Sequence, residues 1–138
     1  MKNPTLGGHR FVNSYVAEKL RRFDAMERSF ASLFELMFSE KENILYERSE
    51  GYRIVKTSYG EAERDVLRRA SALKKRLAGL GQDAVVGLYM ENSLAWIETF
   101  WAILRAGFRP LLMNLRLDGE TLESALREAD AAAVVAEG

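Results

Sequence analysis

Three short apolar runs, "AVVGLYM" (84–90), "PLLM" (110–113) and "AAAVVA" (131–136), alternate with stretches of helical length and period. Continuous apolar runs of this size suit strands covered on both faces. Between the first two, Asn92-Ser93 reads as a helix cap and Gly107 as a stop. Within that helix Trp96, Phe100, Ile103 and Leu104 form one apolar stripe, and Ile97 with Trp101 begins a second, so two faces need cover. Core packing explains the tryptophans better than a cofactor pocket lined by them. On that reading Trp96→Ala costs roughly 3 to 5 kcal/mol. Before the third run, Asp118 caps a shorter helix with Leu122, Ala125, Leu126 and Ala129 inward. Strand, helix, strand, helix, strand is the grammar of right-handed crossovers in a parallel sheet. The pattern predicts an α/β fold: a parallel sheet with crossover helices, preceded by an N-terminal helix and a β-hairpin.

The rest of the chain supplies that preceding part. Residues 1–12, with Pro4, Gly7 and Gly8, read as a lead-in that holds the chain's one histidine, His9. Residues 13–43 read as helical, beginning at Asn13 or Ser14, as one long or two shorter amphipathic helices. Bulky apolar and basic residues there would suit a membrane surface. The interspersed acidic residues favour packing on the chain's own domain. Residues 44–57 form a hairpin signal around Ser49-Glu50-Gly51. Residues 58–138 hold the crossover portion, which opens with the capping box Ser58-Tyr59-Gly60-Glu61. Ala62, Val66, Ala70, Leu73 and Leu77 then mark one helix face, closed by Gly79 or Gly81. The chain stops at the tip of a strand, and so reads as the front portion of something larger.

Composition narrows the chemistry. Twenty basic residues balance twenty acidic ones across 138 residues, which argues against a dedicated nucleic-acid binder. No cysteine is present, excluding disulfides, cysteine zinc sites and a thiol nucleophile, and one histidine cannot build a multi-histidine metal site. No apolar run approaches the roughly 18 to 20 residues of a membrane span. With no signal peptide at the start, the expected location is cytoplasmic. A phosphate cradle needs a glycine-rich turn between strand and helix, whereas the first such turn reads "MENSL". Glu61, Glu63 and Asp65 crowd a helix start, where they complement the helix dipole rather than form a catalytic pair. Arg64, Arg68, Arg69, Lys74, Lys75 and Arg76 fit a solvated helix face better than a nucleic-acid stripe. The residues alone assign no catalytic, cofactor-binding or metal-binding site.

From Thr57 to Gly138 the sequence resembles the N-terminal region of the AMP-dependent, adenylate-forming synthetases (acyl-CoA synthetases, luciferases and peptide-synthetase adenylation domains). "TSYGEA" stands where that family has Thr-Tyr-x-Glu-Leu, and "GLYMENS" and "AILRAG" match its strand turn and helix end. "LMNLRLDGETL" and "DAAAVVAEG" match its Pro-Leu-Asn-Pro-Arg-Leu segment and small-residue strand. Four positions depart: Glu91 and Leu115 replace prolines, Pro110 comes two residues early with Leu112 in its slot, and Gln82-Asp83 replaces Gly-Asp.

The resemblance implies an N-terminal fragment, truncated relative to the family, of an ATP-dependent, AMP-forming acid–thiol ligase. A carboxylate would attack the α-phosphate of ATP, and a thiol such as coenzyme A would capture the acyl group. ATP, magnesium (Mg2+) and coenzyme A are thus implied for a full-length member, and none for this segment. The family's phosphate loop, magnesium ligand, ribose aspartate and mobile lysine lie further along, so no active-site residue carries over and the fragment is expected to be inactive in isolation. Its expected partners are the remainder of the synthetase chain and a second copy of itself. The alternative is a non-catalytic α/β interaction module that self-associates.

Overall fold

The computed structural model describes residues 4–137, with side chains from residue 13 onward. The chain divides into two compact units, residues 1–39 and 40–138.

The first unit is a pair of helices, α1 (Pro4–Ala25) and α2 (Phe30–Met37). Backbone helix begins at Pro4, nine residues before Asn13, so the lead-in expected over 1–12 is largely helical. Proline suits a first helical position because its φ is preset and its missing amide would have lacked a partner. The glycine pair at 7 and 8 costs about 1 kcal/mol per residue, too little to stop a helix of this length. The side chain of His9 lies outside the described residues. Ser29 caps α2, its Oγ accepting from the Ser32 amide at 3.1 Å. The helix ends at Met37, so residues 38–43 are turn rather than helix. Phe34 and Phe38 are buried with stacked rings 4.4 Å apart. Lys19 of α1 donates to the Leu36 carbonyl at 3.3 Å and to Ser39 Oγ at 2.9 Å. It places a cation at the C-terminal end of α2, where the helix dipole favours one.

The second unit opens with the hairpin β1 (Ile44–Glu50) and β2 (Arg53–Ser58), antiparallel and turned at Gly51, whose φ is +61°. Next comes α3 (Tyr59–Arg76). Ser58 Oγ accepts from the Glu61 amide at 3.2 Å and Glu61 Oε2 accepts from the Ser58 amide at 2.9 Å, the reciprocal box read from the sequence. The crossover portion follows: β3 (Val85–Tyr89), α4 (Leu94–Arg105), β4 (Arg109–Leu112), α5 (Gly119–Glu128) and β5 (Ala131–Ala136). The three strands are parallel in the order β4-β3-β5.

Each edge of this sheet has a physical reason. The Arg109 and Met113 amides donate to the carbonyls of Ala84, just before β3, and Leu88, so by alternation Pro110 faces the outer edge, where no donor is missed. Asp83 (φ +64°) and Asp130 (φ +52°) make left-handed turns just before β3 and β5, a conformation aspartate tolerates better than most residues.

The two faces of the sheet differ. Val86 and Leu88 are fully buried, and Val135, in register with Leu88, lines a groove with Arg69 of α3 and Thr99 of α4. Gly87 and Val134, in register with each other, point the opposite way, and Leu126 of α5 closes over Gly87. Thus α3 and α4 cover one face and α5 the other, as right-handed crossovers to either side of β3 require.

The expected burial of α4 needs correction. Its fully buried residues are Glu98, Thr99, Ala102 and Ile103, while Trp96, Ile97, Phe100, Trp101 and Leu104 are only half-buried. The helix packs against α3, which buries Ala62, Val66 and Ala70. Small residues on both helices let the backbones approach closely, which displaces the large aromatic rings to the margins.

Candidate functional site

Open α/β sheets bind ligands outside the carboxyl ends of their strands. Here those ends are Met90–Ser93 after β3 and Met113–Arg116 after β4, and they enclose a crevice of about 420 Å³. Buried Met90 and Met113 with half-buried Trp96 make its apolar wall, and exposed Asn92, Asn114 and Arg116 its rim. Trp96 stacks parallel on Phe100 at 5.7 Å, and Phe100 meets Trp101 edge-on at 5.4 Å. Of the two tryptophans, only Trp96 lines the crevice.

The turns and helix starts beside it carry side-chain caps. Ser93 Oγ accepts from the Trp96 amide at 3.2 Å and donates to the Glu91 carbonyl at 3.1 Å. Asn114 Oδ1 accepts from the Arg116 amide at 2.9 Å. Asp118 accepts from the Thr121 amide at 2.7 Å, and hydrogen bonding from the backbone and side chain of Thr121 holds its carboxyl below the usual range. The crevice thus combines an apolar wall with the side-chain amides of Asn92 and Asn114 and the cation of Arg116.

The acidic residues at the start of α3 are not brought together as a pair for acid–base work. Glu61 serves the cap, Glu63 pairs with Lys41, and Asp65 pairs with Arg68. Among the described residues no cluster of three or more histidine, cysteine or acidic side chains could hold a metal ion. Nor is any described helix long and apolar enough to cross a membrane.

A buried polar cluster between α3 and α4 escapes the sequence reading. Glu98 is 3% exposed, and its Oε2 lies 3.6 Å from Arg69 Nε with no hydrogen bond at either atom. Arg69 also donates weakly to Thr99 Oγ1 at 3.4 Å. Burial, then the Asp65 charge, push the Glu98 carboxyl up, against the opposing pull of Arg69. Arg69, read as part of a solvated face, is half-buried, with its guanidinium turned toward Glu98 and Thr99. The one available signal was an acidic residue inside the most apolar helix.

The β4-β3-β5 arrangement, wound to either side of its central strand and preceded in the chain by a hairpin and α3, is an open α/β unit. The chain belongs to the AMP-binding enzyme family, whose sequence profile matches residues 38–138. Among solved structures it is similar to a benzoate CoA ligase from Burkholderia xenovorans LB400, at 31% identity and a TM-score of 0.65 over 79% of this chain. The N-terminal subdomain of Klebsiella oxytoca NpsA, in complex with 3-hydroxyanthranilyl-AMSN, matches 79% of the chain and 26% of its own, at 15% identity and a TM-score of 0.62. A Mycobacterium tuberculosis fatty acyl CoA synthetase matches 59% of this chain and 16% of its own, at 22% identity and a TM-score of 0.54. At those identities the latter two show the fold alone. The chain spans 21% of the benzoate ligase, about a fifth of its length. A comparison with curated proteins finds no match. The chain therefore resembles the N-terminal part of AMP-binding acyl- and aryl-CoA ligases.

Proposed function

We propose that this chain is the N-terminal part of an ATP-dependent, AMP-forming acid–thiol ligase. The whole enzyme would activate a carboxylate as its acyl-adenylate, with Mg2+ on the phosphates, and pass the acyl group to coenzyme A. The observation that carries the reading is the 31% identity to a benzoate CoA ligase over 79% of the chain. Within such an enzyme these residues are scaffold: the β4-β3-β5 sheet and its helices would support a site built by the remainder of the chain. The segment itself would be inactive, since the phosphate loop, magnesium ligand and mobile lysine that the resemblance implies lie further along the whole enzyme. The test is acid-dependent ATP–pyrophosphate exchange, measured on the 138-residue chain and on the product of the reading frame continued past Gly138. Exchange only by the longer product is expected. Exchange by the short chain, or a longer product lacking it with every aryl and acyl acid tried, would overturn the proposal.

A second reading, an interaction module that pairs with its own copy, draws on β5. That strand carries neither charge nor proline, and Val134 is 45% exposed on the α5 face. Such an edge is apt to pair with another chain. Sedimentation of the 138-residue chain should then show a dimer, and a concentration-independent monomer would reject this reading.

A further inference from the structure

We infer that α3 of one copy docks on α5 of the next, a charge-steered, head-to-tail contact that stacks copies of this chain in an open series. The inference does not depend on the ligase reading, and it uses helix faces rather than the β5 edge. Charge is divided unevenly between the two sides of the sheet. α3 carries six basic residues against three acidic ones. From its cap at Asp118 to the turn at Asp130, α5 carries five acidic residues against one basic. The whole chain is balanced, twenty against twenty, so each face finds its complement on another copy.

Most of these charges are left unsatisfied within the fold. Arg68 pairs with Asp65 and Arg69 faces Glu98, but exposed Arg64, Lys74, Lys75 and Arg76 have no ion-pair partner among the described residues. On α5, Glu123 pairs with Arg127 and Asp118 caps the helix. The exposed carboxylates of Glu120, Glu128 and Asp130 have no ion-pair partner among the described residues. Leu67, 41% exposed, adds an apolar contact to the basic helix.

The fold aims the two faces in opposite directions. Val135 marks the α3 side of the sheet, where it lines a groove with Arg69 and Leu73. Gly87 and Val134 mark the other side, under Leu126 of α5. Each helix leads through a turn into a strand of the parallel sheet, α3 into β3 and α5 into β5, so both run the same way. A second copy displaced across the sheet therefore brings its α5 alongside α3 with matching ends, Glu128 and Asp130 toward Lys74, Lys75 and Arg76. At 1.5 Å per residue, α5 with 10 residues spans about 15 Å and α3 with 18 spans about 27 Å, which leaves Glu61 in the first turn of α3 outside the contact. Faces of like sign repel, so two-fold pairing of α3 on α3, or of α5 on α5, is disfavoured. A contact between different surfaces that does not close on itself continues into a series. Exposed ion pairs are individually weak and are screened by salt, so the association should be modest and confined to low ionic strength.

The test is light scattering and sedimentation of the 138-residue chain at about 10 mM and about 300 mM ionic strength, where charges act over about 30 Å and less than about 8 Å. At low salt the average mass should climb past two copies with concentration, and at high salt it should fall to that of one chain. Two variants reverse one face each: Arg64→Glu with Lys75→Glu on α3, and Glu120→Lys with Glu128→Lys on α5. Each alone should stay at the mass of one chain at low salt, and an equal mixture of the two should associate again. A wild type that remains a single chain at low salt would overturn the inference, whether or not a polyanion then binds α3. So would a dimer indifferent to salt, which would point to the β5 edge instead, or a mixture that does not associate. Where circular dichroism shows a reversed variant unfolded, Lys75→Gln and Glu128→Gln replace it, and each should weaken the low-salt association; association unchanged in both would equally overturn it.

Discussion

Gly87 sits at the centre of the middle strand, and adding one carbon there tests the placement of α5 directly. A Cβ at this position would lie 3.0 Å from Met113 Sδ and 3.3 Å from both Leu126 Cδ2 and Val134 Cγ2. Ordinary carbon contacts fall at about 3.5 to 4.0 Å, so each neighbour must yield by a few tenths of an ångström. The methionine sulfur ends a flexible side chain and can move, but Val134 is fixed by its strand and Leu126 by its helix. Overpacking a filled site costs about 1 to 3 kcal/mol, and replacing a strand glycine returns about 0.5 to 1 kcal/mol of chain entropy. Gly87→Ala should therefore lose about 1 kcal/mol. Gly87→Val has nowhere to put two further carbons and should lose about 3 kcal/mol or more, with α5 giving way first. Urea unfolding supplies the free energies, and amide exchange in α5 shows where the strain goes. Met113→Ala should cost less in the Gly87→Ala background than in the wild type, because it vacates the tightest contact. A Gly87→Val protein within about 0.5 kcal/mol of wild type, with α5 exchange unchanged, would mean that α5 does not close over this face.

Three further outcomes follow from the same packing. Ser58→Ala removes the cap of α3 and half of its reciprocal box, and should cost about 1 kcal/mol by urea unfolding; no measurable change would mean that the box forms only weakly in solution. Ile103→Ala, at a fully buried site, should cost about 2 to 5 kcal/mol, whereas half-buried Trp96→Ala should cost less, about 2 kcal/mol; the reverse order would restore Trp96 to the core. Asp118, whose carboxyl is lowered from 3.8 by the Thr121 backbone and side-chain bonds, stabilises the start of α5 above that pH and loses this role as pH falls through its folded value; Asp118→Asn should abolish that acid dependence in the helical circular dichroism, and an unchanged profile would assign it to other groups.

Much of the fold is legible in the sequence because parallel strands covered on both faces leave an unusual trace. Val85–Tyr89, Arg109–Leu112 and Ala131–Ala136 fall within one residue of the apolar runs that predict them. Caps sharpen the helix starts: Ser58, Ser93 and Asp118 each accept from the third following amide. The start of α1 is not legible in the same way, since Pro4 is as good an opener as Asn13 and the glycine pair between them argues for a break. Nor does the alternation of strands and helices say which face each helix takes. That information sits in Gly87, whose missing side chain is the space Met113 and Leu126 occupy.

The interior of α4 shows why the polar cluster is harder to read than the strands. Periodicity ranks positions by hydrophobicity, so it sends Trp96, Phe100 and Trp101 inward and Glu98 outward. Packing ranks them by fit instead. The α3 surface offers Ala62, Val66 and Ala70, and a helix approaching so small a surface presents its own small residues, Ala102 and Thr99, at the seam. Glu98 shares that side of α4 and is carried inward with them. Such burial is tolerable because Arg68 and Arg69 of the facing helix bring positive charge toward the acid. The compensating residues lie a full helix and strand earlier in the sequence, beyond the reach of any local pattern. A charged residue inside an apolar helix is thus best read as a demand for a partner, and here the fold meets it with an arginine that stops short of a hydrogen bond.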